Sequence, residues 1–290
     1  MRTVEVDDVS LVVDEVGDRG DPAVLHIAGA TQSMDWWTPD FCALLAAEGL
    51  HVLRYDQRDT GQSTTSPPGR PGYTGSDMAS DPLRILDALG LDAVHLVGLS
   101  MGGGIAQHLA VHAVSRVLTL TLIESSPAGG DTGALSPPDP CLAAEEEAVP
   151  AVEDWGDAAA VLEHRVAAER PYAGSFGVDE ERLRSIAATE IARSRSLESA
   201  MTNHVLLEDG TAADPSRIVA PTLVLHSATD PLLPLDHGEA LVRMIPHAVL
   251  LRTDGMGHEA PPPPVWDTVV PALADHMLSR ERPPRDRGAR

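Results

Sequence analysis

HLVGLSMGGG, residues 95–104, sets a single serine between an apolar run and a stretch of glycines. Gly98-Leu99-Ser100-Met101-Gly102 matches G-x-S-x-G, the pattern of a sharp strand-to-helix turn that lifts a serine hydroxyl above a sheet. Two readings of Ser100 are open: a catalytic nucleophile, or merely the N-cap of the next helix. Five residues do not separate them, but their flanks do. AVHLVGL (93–99) reads as a buried strand and MGGGIAQHLAVHA (101–113) as a helix, the setting the nucleophile needs. In so sharp a turn a side chain at 98 or 102 would collide with neighbouring backbone, which gives both glycines a steric reason.

Strand–helix alternation extends in both directions from this turn. AVLHIA (23–28) and HVLRYD (51–56) are apolar runs followed by polar turns. WWTPDFCALLAAEGL (36–50), between them, has helical spacing and a stop at Gly49. DPLRILDALGL (81–91) reads as a helix and VLTLTLIES (117–125) as a strand. Residues 127–150 are rich in Pro, Gly and acidic residues and break the pattern; residues 151–207 read as helical. The alternation resumes with PTLVLH (221–226), a helix near 236–245, HAVLLRT (247–253) and a last helix near 264–279. This predicts an α/β fold: a mostly parallel sheet with helices on both faces and a helical insertion. The core is assigned to 1–126 and 216–279, a cap to 127–215, and a disordered tail to RERPPRDRGAR (280–290).

A serine hydroxyl is a poor nucleophile unless a base takes its proton, and the base, a histidine, needs a carboxylate to orient it. After an elbow of this kind the chain order is Ser, then Asp or Glu, then His. Asp230 follows a strand in PTLVLHSATDPLLP, and His258 follows one in HAVLLRTDGMGHEAPP. Both therefore sit where strand ends deliver side chains to one edge of the sheet. The bland alternatives are a turn cap before Pro231 and an ordinary surface histidine. Glu124 is a competing acid, and Asp254 could hold the same loop as His258. His26 and His226 fall within strands and read as core, as does His95. His108 and His112 lie on the helix after Ser100, where neither faces the hydroxyl. The oxyanion of a tetrahedral intermediate needs donors; the backbone N–H of Met101 is one candidate, and that of Ala30, in Ala28-Gly29-Ala30-Thr31, is the other.

Composition narrows the rest. Of the 290 residues 43% are hydrophobic, enough for a sizeable core and too many for a disordered chain. The net charge of −23 argues against a nucleic-acid partner and reads as a solubility device. All the basic residues are arginines, so a lysine Schiff base is impossible. Two cysteines, Cys42 and Cys141, do not make a disulfide framework. The start MRTVEVDD has no basic, then apolar, signal pattern, and no apolar run is long enough to span a membrane. A cytoplasmic chain with no membrane partner is the expectation; oligomeric state is not legible. No H-E-x-x-H occurs and no G-x-G-x-x-G lies in a suitable strand–helix context, so neither metal nor cofactor is expected.

With these motifs spread over residues 23–258, the chain resembles an α/β-hydrolase. RYDQRDTGQSTT (54–65), GLSMGG and GMGH are similar to a bacterial subgroup that includes aclacinomycin methylesterase and related esterases of aromatic polyketide biosynthesis. The resemblance implies a serine hydrolase acting on a small-molecule ester through an acyl-enzyme, with a methyl ester of a polyketide-type product as the expected substrate. A lactonase, a cyclase or acyl transferase, and a cofactor-free haloperoxidase-like enzyme are the alternatives. A ligand-binding protein built on the same fold is a further one. Asp56 and Arg58, in the loop after HVLRYD, read as structural. Family members commonly carry His-Gly before the oxyanion residue; this chain has Ala28-Gly29, as the methylesterase-like subgroup does. Trp155, Tyr172 and Phe176 read first as packing residues of the cap, and Met201 to His204 as candidates to line the pocket.

Overall fold

The structure is a computed structural model that describes residues 1–207 and 212–279. The tail expected at 280–290 lies outside the described residues. Eight strands form one sheet: β1 Arg2–Val6, β2 Val9–Val16, β3 Ala23–Ile27, β4 His51–Tyr55, β5 Val94–Leu99, β6 Val117–Ile123, β7 Thr222–Ser227 and β8 Val249–Thr253. Their spatial order is β1-β2-β4-β3-β5-β6-β7-β8. The pairs β1·β2 and β2·β4 are antiparallel, and the remaining pairs are parallel.

Why the central strands read as unbroken apolar runs is clear from their two faces. Along β3, Leu25 and Ile27 join one hydrophobic cluster while Val24 joins the other. Along β5, Val94 and Leu96 face the first and Val97 and Leu99 the second. Period-two alternation with both faces buried is what a parallel sheet clad in helices requires. The first face packs helices α2 Gly75–Leu89, α3 Met101–His112 and α8 Asp236–Met244. The second packs α1 Pro39–Ala47 and α9 Trp266–Leu278.

Two differences from the sequence reading have physical causes. The hairpin β1–β2 was not anticipated. Its two-residue turn, Asp7-Asp8, puts Asp7 at φ 54 without the glycine that normally marks such turns. Helix α2 begins at Gly75 rather than Asp81. Thr74 and Asp77 form a reciprocal capping box at its true start, and Pro82 lies inside the helix rather than opening it.

Between β6 and β7 the chain forms α4 Leu142–Glu147, α5 Ala158–Glu169, α6 Glu180–Arg193 and α7 Leu197–Asn203. This insertion has small apolar clusters of its own, and buried charge ties it to the sheet. Arg193 bonds Asp35 at 2.7 Å and Asp56 at 2.8 Å. Glu190 accepts the Ser33 N–H and the Trp36 indole N–H, and meets Arg165 at 2.9 Å. Asp56 is thus structural, as expected, and so is Arg58, whose guanidinium is bidentate to Asp81. Among the described residues no helix is long and apolar enough to cross a membrane.

His26 lies fully buried in β3, edge-on to Trp37 with ring centroids 4.7 Å apart. Burial pushes its pKa from the usual 6.5 down to about 3. The unfolded chain therefore binds a proton between those values that the folded chain refuses. Stability should fall as pH drops from about 6.5 toward 3. His26→Phe, a ring beside Trp37 and Phe41, should flatten that slope; urea unfolding across the pH range measures it. An unchanged slope would contradict the assignment.

Candidate active site

The strand order reverses direction between β3 and β5: from β3 the chain steps outward to β4 and then back to β5 on the other side. In open α/β sheets the crevice beyond the strand ends at such a point is where ligands sit. Ser100 lies here, immediately after β5, and Ala28 to Thr31 follow β3.

Ser100 adopts φ 52 and ψ −118, a left-handed conformation that costs a non-glycine residue about 1–3 kcal/mol. Its side chain makes no cap bond to α3. Instead Oγ lies 2.8 Å from His258 Nε2, and His258 Nδ1 lies 2.8 Å from Asp230 Oδ2. The glycines act sterically, as anticipated. A Cβ at Gly98 would overlap the Gly102 carbonyl, and one at Gly102 would overlap the carbonyls of Ile27 and Ala28. That absence of side chains lets the loop after β3 come close to the start of α3.

Asp230 is held on both oxygens. Oδ1 accepts the N–H groups of Leu232 at 2.8 Å and Leu233 at 2.9 Å, leaving Oδ2 for His258. Burial alone would raise its pKa. The hydrogen bond and charge of His258 outweigh this, helped by Glu124 and the Leu233 N–H, and hold it below the usual carboxylate range. Glu124 goes the other way. It is fully buried, and burial followed by the Asp230 charge drives its pKa well above normal. Of this carboxyl pair Asp230 carries the charge and Glu124 the proton. Glu124 Oε1 accepts the Ser227 N–H at 2.8 Å. His226 Nε2 donates to the Leu233 carbonyl at 2.8 Å; burial lowers its pKa and favours the neutral ring, against the pull of that bond toward the protonated form. Glu124, His226 and Asp230 offer ligand atoms within 4.8 Å of one another and could hold a metal ion by proximity. Yet Asp230 Oδ2 is already committed to His258 and His226 Nε2 to a carbonyl.

Asp254 is exposed and pairs with Arg252 at 3.2 Å; His258 is held by Asp230 instead. His95 bonds Thr119 Oγ1, and His108 lies tilted against His112 with ring centroids 4.4 Å apart. The N–H of Met101 heads α3, where no acceptor exists within the helix. The Ala30 N–H has no acceptor among the described residues. The Gly29 carbonyl, in the same peptide unit as that N–H, accepts from Gln57 Nε2 at 3.2 Å.

Two adjoining cavities open onto these groups. One, about 160 Å³, is bounded by Ala30, Gln32, Ser100, Val205, Leu232 and His258. The other, about 190 Å³, is walled by Trp36, Tyr172, Phe176 and Pro262 to Pro264. Glu169, Tyr172 and His258 face both. Tyr172 and Phe176 are therefore cavity residues, contrary to the packing role expected of them. Trp155 does pack, edge-on to His164 in the insertion's own core. Met201 to His204 line neither of these two cavities. Met201 packs in that core, Thr202 Oγ1 accepts the Gly69 N–H, and Asn203 bonds Asp59 at 2.8 Å.

The stretch 172–176 lies backbone against backbone on the loop carrying His258. The His258 N–H donates to the Tyr172 carbonyl at 2.9 Å, and the Phe176 N–H to the Gly255 carbonyl at 2.9 Å. A Cβ at Gly174 would overlap the Met256 carbonyl, and one at Gly257 the Tyr172 carbonyl.

The chain matches the family described as alpha/beta hydrolase fold over residues 22–262. It is 30% identical over 292 residues to the rhodomycin D methylesterase DauP of Streptomyces sp. (strain C5), covering 95% of this chain and 97% of that protein. The rhodomycin D methylesterase DnrP of Streptomyces peucetius matches at the same identity and coverage. In three dimensions it is similar to the enol-lactonase of Burkholderia xenovorans LB400, with a TM-score of 0.71 at 21% identity, covering 96% of this chain and all of the other.

Because the fold keeps Glu124 protonated while the unfolded chain ionises it above pH about 4.5, this residue destabilises the folded state progressively as pH rises. Glu124→Gln keeps the acceptor for Ser227 and a donor beside Asp230. It should retain or gain stability at neutral pH and lose that pH slope, read by denaturant unfolding at pH 5 and 8. A marked loss of stability at pH 8 would show that Glu124 is ionised.

Proposed function

The chain belongs to the alpha/beta hydrolase family, and within it we propose a serine esterase that cleaves a carboxylic ester, a methyl ester of a polyketide-type natural product, through an acyl-enzyme. The observation that carries this reading is the unbroken Ser100–His258–Asp230 chain of two 2.8 Å contacts. Ser100 Oγ attacks the ester carbonyl while His258 Nε2 takes its proton. Asp230 keeps the imidazole in the tautomer whose Nε2 can accept, and stabilises the imidazolium that forms. The N–H groups of Ala30 and Met101 receive the developing oxyanion. His258 returns the proton to the departing alcohol. A water, deprotonated in turn by His258, attacks the acyl-enzyme and releases the acid and free Ser100.

Ester hydrolysis is supported by full-length similarity to two methylesterases. The cavity walled by Trp36, Tyr172, Phe176 and three prolines, with Glu169, Arg182 and Glu259 also on its lining, suits a flat acyl body that is largely apolar and carries polar substituents. Residues 127–215 act as a cap that shapes this cavity and excludes water. No cofactor or macromolecular partner enters the scheme. The cytoplasm fits two cysteines that are both free.

Ser100→Ala should abolish hydrolysis of a short p-nitrophenyl ester and labelling by a fluorophosphonate, with the fold intact by circular dichroism. Asp230→Asn should lower kcat on the order of 10⁴-fold, the loss seen when a triad histidine is left in the wrong tautomer. Full activity of the serine variant would rule out the mechanism.

A further inference from the structure

The loop after β3 contains a strained residue whose restraint comes from the insertion. Thr31, β-branched, sits at φ 65, in the left-handed region such side chains avoid. Its N–H donates to His204 Nδ1 at 2.9 Å. The other ring nitrogen of His204, Nε2, lies 2.7 Å from the carbonyl of Arg58. A carbonyl can only accept and a backbone N–H can only donate. The proton must therefore be on Nε2, and Nδ1 must be bare. His204 bridges the loops that follow β3 and β4 as a neutral imidazole of fixed tautomer. Its burial, 5% exposed, favours that neutral form and lowers its pKa.

The Arg58 end of the bridge and the segment that carries His204 are themselves fixed. Arg58 is bidentate to Asp81, and Asn203, next to His204, donates to Asp59 and to the Pro67 carbonyl. On the loop, Gln57 holds the peptide that contains the Ala30 N–H, through the Gly29 carbonyl. His204 holds the next peptide, through the Thr31 N–H. Ala30 is thus clamped on both sides, and its N–H keeps one direction.

We infer that His204 is a positioning residue of the ester-cleaving site, supplied by the insertion, which aims the Ala30 N–H at the oxyanion by accepting the Thr31 N–H. The inference rests on the esterase reading above. It does not touch substrate; it acts on transition-state stabilisation through the backbone. With the bond removed, Thr31 is free to leave its strained conformation, and the peptide bearing the donor turns with it.

The test compares His204→Ala with His204→Asn in the full chain. The Asn Oδ1 falls near the place of His Nδ1 and can still accept the Thr31 N–H. His204→Ala should lower kcat for a p-nitrophenyl ester about tenfold to a hundredfold, the scale of a misplaced or lost donor, with KM nearly unchanged. It should weaken a trifluoromethyl ketone, which forms a tetrahedral adduct on serine, by the same factor. His204→Asn should restore most of both. A folded His204→Ala enzyme with unchanged kcat overturns the inference, as does a variant whose loss lies wholly in KM. Should His204→Ala not fold, a His204→Asn enzyme that has lost kcat by a hundredfold overturns it equally, and one close to the parent supports it. Activity surviving in Ser100→Ala would instead remove the esterase reading itself, so the two failures are distinct.

Discussion

The site depends on a steric constraint at one crossing. Strand β5 must end and helix α3 must begin around a single residue, so the chain folds back over its own path. Gly98 passes beneath Gly102, and Gly102 beneath the end of β3, with no room for a Cβ at either. The strain at Ser100 is borne by the sheet, since its N–H bonds the Ile123 carbonyl at 3.0 Å. The backbone at this crossing thus carries the hydroxyl to where it meets His258 Nε2 at 2.8 Å. Because Gly102 permits the end of β3 to approach, the loop that bears Ala30 arrives beside the same serine.

The parallel core and the three principal side chains were legible because each is announced locally. A buried strand shows as an apolar run, an elbow as a glycine pattern, and Asp230 and His258 as polar residues just past strand ends. What escaped is what lacks a local mark. The Asp7-Asp8 turn has no glycine, and the capping box at Thr74 was hidden by the more conspicuous Pro82. The residues that orient the site were invisible for a stronger reason. Gln57, Glu190, Arg193 and His204 acquire meaning only through partners far away in the chain, such as Thr31 for His204 and Asp56 for Arg193. Of Met201 to His204, expected along the pocket, Met201 packs in the insertion's core and the other three fasten loops, while Val205 lines the cavity beside Ser100.

Electrostatically, the site keeps a single negative charge where two carboxyls meet. A second charge beside Asp230 would compete for the histidine and disperse the orienting field, and burial of Glu124 prevents this. Burial likewise favours the neutral form of His226, whose Nε2 donates to a carbonyl. Three buried titratable groups thus settle into an arrangement with one carboxylate, directed at His258.

The backbone seam between residues 172–176 and the loop of His258 also limits how this scaffold can be recombined. With glycines on both sides and main-chain hydrogen bonds across it, the seam is set by close backbone approach that repacked side chains in a foreign insertion would not reproduce. The insertion is therefore not an interchangeable module. A transplanted insertion has to travel with the 255–259 loop against which it packs, and a graft that stops at the edges of the helices severs His258 from its main-chain anchor at Tyr172.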